Sequence, residues 1–523
     1  LVWPIDPEGM AAFAAGSREL LVIEEKRPVI EDQAAVVLLG LSNEQRPVLT
    51  GKRDPQGNAL LSSVGELSPS SVRRAIYARL TALGLATKAI TDRFEYFESA
   101  SRRPEALPAA PRIRPAFFCS GCPHNTGTRL PDGSVAISAV GCHGLAAFIP
   151  ERRTMMPMPM GGDGMPWVAA GPFVDMPHIF QNMGDGTYAH SGILSIRAAV
   201  AARSRMTFKI LYNDAVAMTG GQPVEGAPTP IEIVRQLLAE RVSPVVIVTD
   251  EPAQFTGQDA PADGVRVVHR DRLDEVQKEL RDVPAVSAIV YDQTCAAEKR
   301  RRRKRGLYPD PDRRVVINPA VCEGCGDCSA QSNCLSVVPL ETEFGRKRMI
   351  DQSSCNKDFS CLKGFCPSFI TVDGAKLAKR GDTGASRFDA QIADLPEPQL
   401  AGVNGVYDVL VTGIGGTGVL TVGAVLGMAA HLEGKGCTVM DQTGMAQKGG
   451  AVTSHLRVAP KQDELFSPRL DVASADLILA CDMVVAAYPD VLKTVKPGVT
   501  KAVLNRDVSP TGEFQTNRDL DLN

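Results

Sequence analysis

Along this chain, short continuous apolar runs alternate with stretches of helical spacing, the pattern of parallel sheets covered by helices. Residues 20–24 and 35–39 read as two buried strands of a first small α/β unit. Ser68-Pro69 then opens a helix: Val72, Ile76, Leu80 and Leu83 recur on one face, and Gly84 stands where a C-terminal cap belongs. Further strands are predicted at 208–212, 244–248 and 265–269, and again at 407–412, where a glycine-rich turn leads into another helix. The uncharged run 409–430 has membrane-spanning length, but six glycines break it, so it reads as strand, turn and helix.

The 523 residues exceed what one core can organise, and 44% apolar with 22% charged content is ordinary for a globular, multidomain α/β protein. A net charge of -3 gives no general attraction for nucleic acid. No apolar segment flanked like a secretory signal is present, and the thirteen cysteines are grouped as for metal rather than disulfides, so a cytoplasmic, reducing setting is expected. Four prolines in 99–115 mark a linker, and the Ala-, Gly-, Asp- and Pro-rich stretch 379–404 marks another. The seven consecutive basic residues 299–305 read either as a solvated linker or as a dock for an acidic electron acceptor. The expected units are 1–98, 116–298, 310–376 and 405–523.

Two Gly-Asp-Gly triplets compete as a metal-diphosphate site, Gly162-Asp163-Gly164 and Gly184-Asp185-Gly186. Mg2+ needs octahedral oxygen ligands, here a carboxylate at one strand end and a second oxygen donor at the end of the next strand. Asp185 has Asn213 at a spacing of 28, just past the predicted strand 208–212, whereas Asp163 has Ser191. Asp185 is therefore the candidate, and the segment from Asn213 through Gly220, Gly221 and Gln222 would wrap the cofactor. Cys119-x2-Cys122, Cys142 and the remote Cys295 give four thiolates, suited to a 4Fe-4S cluster or to structural zinc. Cys322-x2-Cys325-x2-Cys328 is a specific iron-sulfur signal, and Cys334, Cys355, Cys361 and Cys366-Pro367 extend it to a two-cluster, ferredoxin-like module. Cys437 and Cys481 are expected in the core of the last unit. There Gly413-x-Gly415-Gly416-Thr417-Gly418, with Asp441 ending the next strand, is, taken alone, a dinucleotide fingerprint on a Rossmann-like sheet, and its glycines could equally hold another phosphate-bearing group, such as part of coenzyme A, at the helix N-terminus.

These segments, in this order, resemble the 2-oxoacid:ferredoxin oxidoreductases, and in particular the fused indolepyruvate type. The resemblance rests on Glu24-Glu-Lys-Arg-Pro28, Cys119-Ser-Gly-Cys122-Pro-His124, Gly141-Cys142, Gln181-Asn-Met-Gly-Asp-Gly-Thr-Tyr188 and Thr219-Gly-Gly-Gln222. Val321-Cys-Glu-Gly-Cys-Gly-Asp-Cys328, Asp351-Gln-Ser-Ser-Cys-Asn-Lys357 and Gly444-Met-Ala-Gln-Lys-Gly-Gly450 extend it. It implies a truncated transketolase C-terminal-like unit, a thiamine-diphosphate-binding parallel-sheet domain, the ferredoxin-like module and a gamma-type Rossmann-like domain. It also implies that Asp185, Asn213 and the carbonyl of Ala215 hold Mg2+ and that His124 lies near the diphosphate. Cys119, Cys122, Cys142 and Cys295 would then form a cluster beside the thiamine. The implied reaction is oxidative decarboxylation of indolepyruvate and related aryl 2-oxo acids, with coenzyme A and ferredoxin as co-substrates, in a full-length homodimer with no membrane or nucleic-acid partner.

Three four-iron clusters need twelve ligands, and the cysteines supply eleven. In two-cluster ferredoxins each three-cysteine turn borrows its fourth ligand from the other half, so Cys366 is assigned to Cys322, Cys325 and Cys328. Cys334, Cys355 and Cys361 remain, and Asp358 stands where a middle cysteine would be, so it is expected as their fourth ligand. The pyrimidine-side carboxylate that activates thiamine is not in this sequence, and the isolated chain is expected not to turn over. A thiamine-dependent decarboxylase or carboligase without redox centres, and an electron-transfer module for another subunit, are the rival functions.

Overall fold

The computed structural model describes residues 2–104, 112–375, 392, 395–396, 402–443, 449–507, 509–517 and 520. Residues 105–111 of the first predicted linker, the greater part of the second, and the 444–448 part of the Gly444–Gly450 motif lie outside these residues.

In the first unit, β1 (Glu19–Leu21) pairs in parallel with β2 (Val48–Thr50). The predicted second strand at 35–39 is instead the end of a helix, Val29–Leu39. Its apolar residues are not a buried run: Ala34 and Leu38 face inward, while Val36 and Leu39 are exposed. A short apolar stretch has no intrinsic preference for strand, and here the four-residue spacing of Ala34 and Leu38 decides for the helix. The Ser68 cap is present, its hydroxyl accepting from Ser71 N, and the helix runs Pro69–Ala82. The face it buries is not the predicted one. Ala75 and Arg79 point inward, with Arg79 fork-bonded to Glu19 at 2.7 and 2.9 Å, and Ile76 is exposed.

The large central unit holds a seven-stranded, all-parallel sheet in the order β4-β3-β5-β6-β9-β7-β8. Its strands are β3 (Ala136–Ile137), β4 (Thr154–Met155), β5 (Ile179–Gly184), β6 (Met206–Tyr212), β7 (Val245–Thr249), β8 (Arg266–His269) and β9 (Val286–Asp292). β5, β6, β7 and β9 are buried almost end to end, as strands covered on both faces must be. One face packs against the helices Ile193–Ala201 and Pro230–Ala239 and the other against Leu273–Arg281.

The cysteine-rich unit is two antiparallel pairs. β10 (Arg313–Ile317) lies against β13 (Phe369–Asp373), and β11 (Val337–Thr342) forms a hairpin with β12 (Gly345–Ile350). In the last unit β14 (Tyr407–Ile414), β15 (Gly436–Gln442), β16 (Ala451–Ala459), β17 (Leu477–Ala480) and β18 (Lys501–Leu504) form a sheet in the order β15-β16-β14-β17-β18. β16 is antiparallel and separates β14 from β15, so Asp441 is not on the strand next to the glycine turn, as a dinucleotide fingerprint requires. Cys437 is only partly covered and Cys481 is exposed, a correction to the expected core positions.

Arg114, in the segment before the central sheet, is buried and forks onto Asp482 of the last unit at 3.2 and 2.8 Å, donating also to the Ser509 carbonyl. Among the described residues no helix is long and apolar enough to cross a membrane.

The helix Val419–Leu432 lies on β15 and β16 through small residues, and a Cβ at Gly423 would stand 2.2 Å from Ser454 Oγ. Gly423→Val is expected to destabilise this unit by about 1–3 kcal/mol through overpacking. A lowered urea midpoint with unchanged slope checks it; an unchanged midpoint would show that the helix shifts without strain.

Candidate functional site

The carboxyl ends of β5 and β6 meet at the predicted metal site. β5 ends at Gly184, and Asp185 follows with its side chain 5% exposed. Its Oδ1 accepts from Gly186 N at 2.9 Å, and its Oδ2 accepts from Asn213 N at 3.1 Å and Asp214 N at 2.9 Å. The chain leaving β6 is thus tied directly to the carboxylate at the end of β5. Burial pushes the Asp185 carboxyl up, against the pull of those backbone donors.

Asn213 Oδ1 accepts from Ala215 N at 3.2 Å, and its amide lies 3.1 Å from His124 Nε2. Asp185, Asn213, Ala215 and His124, from three separate places in the sequence, therefore occupy one neighbourhood. Asp163, the rival carboxylate, is fully buried beside a different turn and accepts from Gly161 N at 3.0 Å.

Asp214 takes a left-handed φ of 57° to turn the chain, and Arg302 holds its carboxylate at 2.7 Å. Arg301 donates to the Gly220 carbonyl at 2.5 Å, and a Cβ on Gly221, at φ 88°, would run into Glu298. Gln222 closes the loop by pairing with Thr219. The basic run 299–305 is therefore neither a solvated linker nor a free dock over most of its length. It is the helix Ala296–Lys304 and the residue after it. Lys299 pairs with Asp250, Arg300 donates to Ser353 O, and Arg303 donates to Asn356 O at 2.8 Å. This helix joins the 213–222 loop to the cysteine-rich unit.

Cys142 and Cys295 pack in one buried cluster with Ala215 and Ala217, and Cys295 N donates to Asn213 O at 2.9 Å. The remote cysteine is thus anchored to the proposed metal loop. Cys119 and Cys122 share a turn, Cys122 N donating to Cys119 O at 3.0 Å, and they pack with Leu145 and Ala146 of the short helix that Cys142 begins.

In the cysteine-rich unit, burial and the neighbouring Cys322 and Cys325 push the Cys328 thiol up to about 11. Burial, with Cys334, Cys355 and Cys328 facing it, pushes Cys361 up to about 12. Cys322, Cys328, Cys334, Cys355 and Cys361 pack into one hydrophobic cluster of this unit. Ser368 O accepts from Asn318 N at 2.8 Å, which holds the Cys366 loop against the turn leading to Cys322. Among the described residues no three His, Cys, Asp or Glu side chains converge on a single ion-sized point.

Asp358 has a different role from the one expected. Its Oδ1 accepts from Arg270 Nη1 at 2.6 Å and its carbonyl from Arg270 Nη2 at 2.9 Å, with both side chains largely buried. The carboxylate is committed to a cation of the central sheet, and the sequence could not show this because Arg270 is 88 residues away. Sequence reasoning also missed His143. Its ring is 1% exposed, stands edge-on to His124 at 5.7 Å, and has no hydrogen-bond partner at either nitrogen among the described residues. Burial, with Lys209 adding to it, pushes this imidazole down to about 4, so the ring is neutral. Its position next to Cys142 was the available signal.

In the glycine turn of the last unit, Gly416 and Gly418 have φ of 84° and 99°. Gly413 is required by packing, since a Cβ there would lie 2.6 Å from Val419 Cγ2. Gly415 N already donates to Gly450 O at 2.8 Å, so one of the N–H groups a phosphate cradle would use is taken.

A family described as pyruvate ferredoxin/flavodoxin oxidoreductase matches residues 408–520, and one described as indolepyruvate oxidoreductase domain matches residues 1–104. Indolepyruvate oxidoreductase subunit IorA of Thermococcus kodakarensis is 26% identical over 376 residues, covering 62% of this chain and 54% of that protein. Subunit IorB of Pyrococcus horikoshii is 34% identical over 80 residues, covering 15% of this chain and 38% of that protein. The chain spans about half the length of the IorA relatives it matches. A solved 2-oxoglutarate:ferredoxin oxidoreductase from Magnetococcus marinus is 16% identical, covers 36% of this chain and 69% of that one, and has a TM-score of 0.26.

Removing the Asp358 carboxylate would leave the Arg270 charge buried at the junction with the cysteine-rich unit. Asp358→Ala is expected to lower stability by about 3–5 kcal/mol, as breaking a buried ion pair does. Chemical denaturation reads this directly, and a change below about 1 kcal/mol, the range of a surface pair, would show the junction to be solvated.

Proposed function

We propose that this chain, a member of the 2-oxoacid:ferredoxin oxidoreductase family, carries the diphosphate-and-magnesium half of a thiamine site together with the electron path that leaves it. The substrate would be indolepyruvate or a related aryl 2-oxo acid, the products acyl-coenzyme A and CO2, and the electron acceptor ferredoxin. The observation that carries this reading is the meeting of Asp185, Asn213 and Ala215 at one sheet edge with Cys142 and Cys295 packed against them. Similarity to both an IorA and an IorB subunit within one polypeptide supports a fused arrangement. The four units proposed are 1–98, 116–298, 310–376 and 405–523.

The residues present fit the groups. A buried carboxylate held by backbone donors, an amide oxygen on the next strand and a loop carbonyl form the hard oxygen set that Mg2+ takes. Asp185, Asn213 and Ala215 would hold the ion, His124 would contact the diphosphate, and the 213–222 loop would cover it. Cys119, Cys122, Cys142 and Cys295 would hold the proximal cluster. Cys322, Cys325, Cys328 and Cys366 would hold a second, and Cys334, Cys355 and Cys361 a third. When bound, thiamine diphosphate supplies the electron sink that lets a 2-oxo acid lose CO2. The protein's part is to exclude water and fix positions. Asp185 orients the loop through its backbone bonds, and Asn213 joins that loop to His124 through its amide and to Cys295 through its carbonyl. The bonds among Arg301, Arg302 and the loop hold it closed.

A decarboxylase without redox centres would share Asp185 and Asn213 but not the eleven grouped cysteines, and an electron-transfer module would have no use for the Asp185 geometry. Anaerobic purification with iron, sulfide and thiamine analysis separates the three.

Thiamine diphosphate is expected to bind the full chain only with a divalent cation, and Asp185→Ala to weaken binding at least a hundredfold, about 2.7 kcal/mol. Titration calorimetry with and without Mg2+ measures both. Cation-independent binding, or an unaltered affinity in the variant, would remove Asp185 from the site.

A further inference from the structure

Arg348 is the largest fully buried side chain among the described residues, 1% exposed, and it stands on β12 opposite Pro339 of β11. The guanidinium stacks on the Phe514 ring at 4.4 Å, and Nη1 makes a weak contact to Lys347 O at 3.4 Å. Nε and Nη2 are buried and have no hydrogen-bond partner among the described residues. A buried guanidinium with two unsatisfied nitrogens is costly to maintain unless an anion completes it.

The surroundings identify that anion. Arg348 lines a 740 Å³ cavity together with Cys325, Gly326 and Asp327. The turn carrying Cys322 and Cys325 presses on the same strand: a Cβ on Gly324, at φ 72°, would lie 2.3 Å from Arg346 O. Two more arginines, Arg129 and Arg152, line the cavity, and Arg152 Nη1 also lacks a partner. Glu151 and Asp327 are the carboxylates on its wall.

We propose that Arg348 donates hydrogen bonds to the iron-sulfur cluster held by Cys322, Cys325 and Cys328, and that its charge raises that cluster's reduction potential. This rests on the reading that these cysteines bind a cluster. Reduction adds one electron, so the reduced cluster carries one more negative charge. A fixed cation stabilises it more than the oxidised form, and hydrogen bonds to sulfur act in the same sense. Arg348 is thus a positioning residue for electron transfer, and it sets how readily this cluster takes an electron from its neighbour.

The test uses the full chain, loaded anaerobically with iron and sulfide, in a potentiometric titration followed by electron paramagnetic resonance. With Arg348→Met, one cluster signal is expected to need a potential lower by about 59 mV or more, a tenfold change in its oxidised-to-reduced ratio for a one-electron couple. The remaining signals should hold. Arg348→Lys, which keeps the charge, should restore most of the shift. If Arg348→Met does not fold, Arg348→Gln carries the same expectation with a polar head. An unchanged potential in either neutral variant at full iron content would overturn the proposal and leave Arg348 as packing for Phe514. A lysine variant that falls as far as the methionine one would also overturn it. Absence of iron and sulfide from the wild-type chain would instead refute the cluster reading on which the proposal rests.

Discussion

A carboxylate at the edge of a parallel sheet has to be satisfied, and Asp185 is satisfied by the backbone of the neighbouring strand's exit loop. That constraint fixes much of what surrounds it. Because Asn213 and Asp214 must present their N–H groups to Asp185, the loop after β6 turns through the left-handed Asp214, and the Asn213 carbonyl is left to receive Cys295 from beyond β9. Cys295 in turn caps the arginine-rich helix, whose side chains reach back to the same loop and forward to Ser353 and Asn356. Adjacent strands, loop, cysteine, helix and cysteine-rich unit form one mechanical series. A parallel sheet allows this because all its strand ends open on one side.

The Asp185 and Asn213 contact was legible from spacing, while Ala215, His124 and Cys295 were brought beside it by the resemblance. Asp185 and Asn213 are found by a 28-residue interval because a helix between neighbouring parallel strands has a nearly fixed length, and the sheet places those strands side by side. The Cys322, Cys325 and Cys328 turn is read from its short intervals, whereas Cys142 and Cys295 stand 153 positions apart and only the resemblance joined them. What could not be read was decided by partners distant in the chain. Asp358 looks like a substitute ligand when only its neighbours at 355 and 361 are counted, and Arg270 reassigns it. The basic run resembles a solvated linker in composition, yet its members find partners on three separate segments, the 213–222 loop, Asp250 and Ser353.

The fold shows the same division. Three strands of the central sheet are legible as short apolar runs at 208–212, 244–248 and 265–269, although β5 and β6 also bury Gln181, Asn182 and Lys209. The stretch 35–39 has the same composition but belongs to a helix covering only a two-stranded sheet, so half of its apolar residues face outward. The Gly413 to Gly418 turn predicts a strand and a helix correctly. The antiparallel β16, inserted beside β14, leaves the acidic residue a dinucleotide site would need one strand too far away. A local motif specifies its own turn and not the strand order around it.

The fork between Arg114 and Asp482 spans 368 positions of the chain. A ribosome adding roughly 5–20 residues per second completes the segment around Arg114 well before its partner emerges. For those tens of seconds the guanidinium is unpaired and the surface meant for the last unit stands open. The central sheet must therefore be stable without this contact, and the final unit docks onto a body already formed. Biogenesis of this protein thus has a built-in order: the central sheet forms first, and the 405–523 unit docks onto it afterwards.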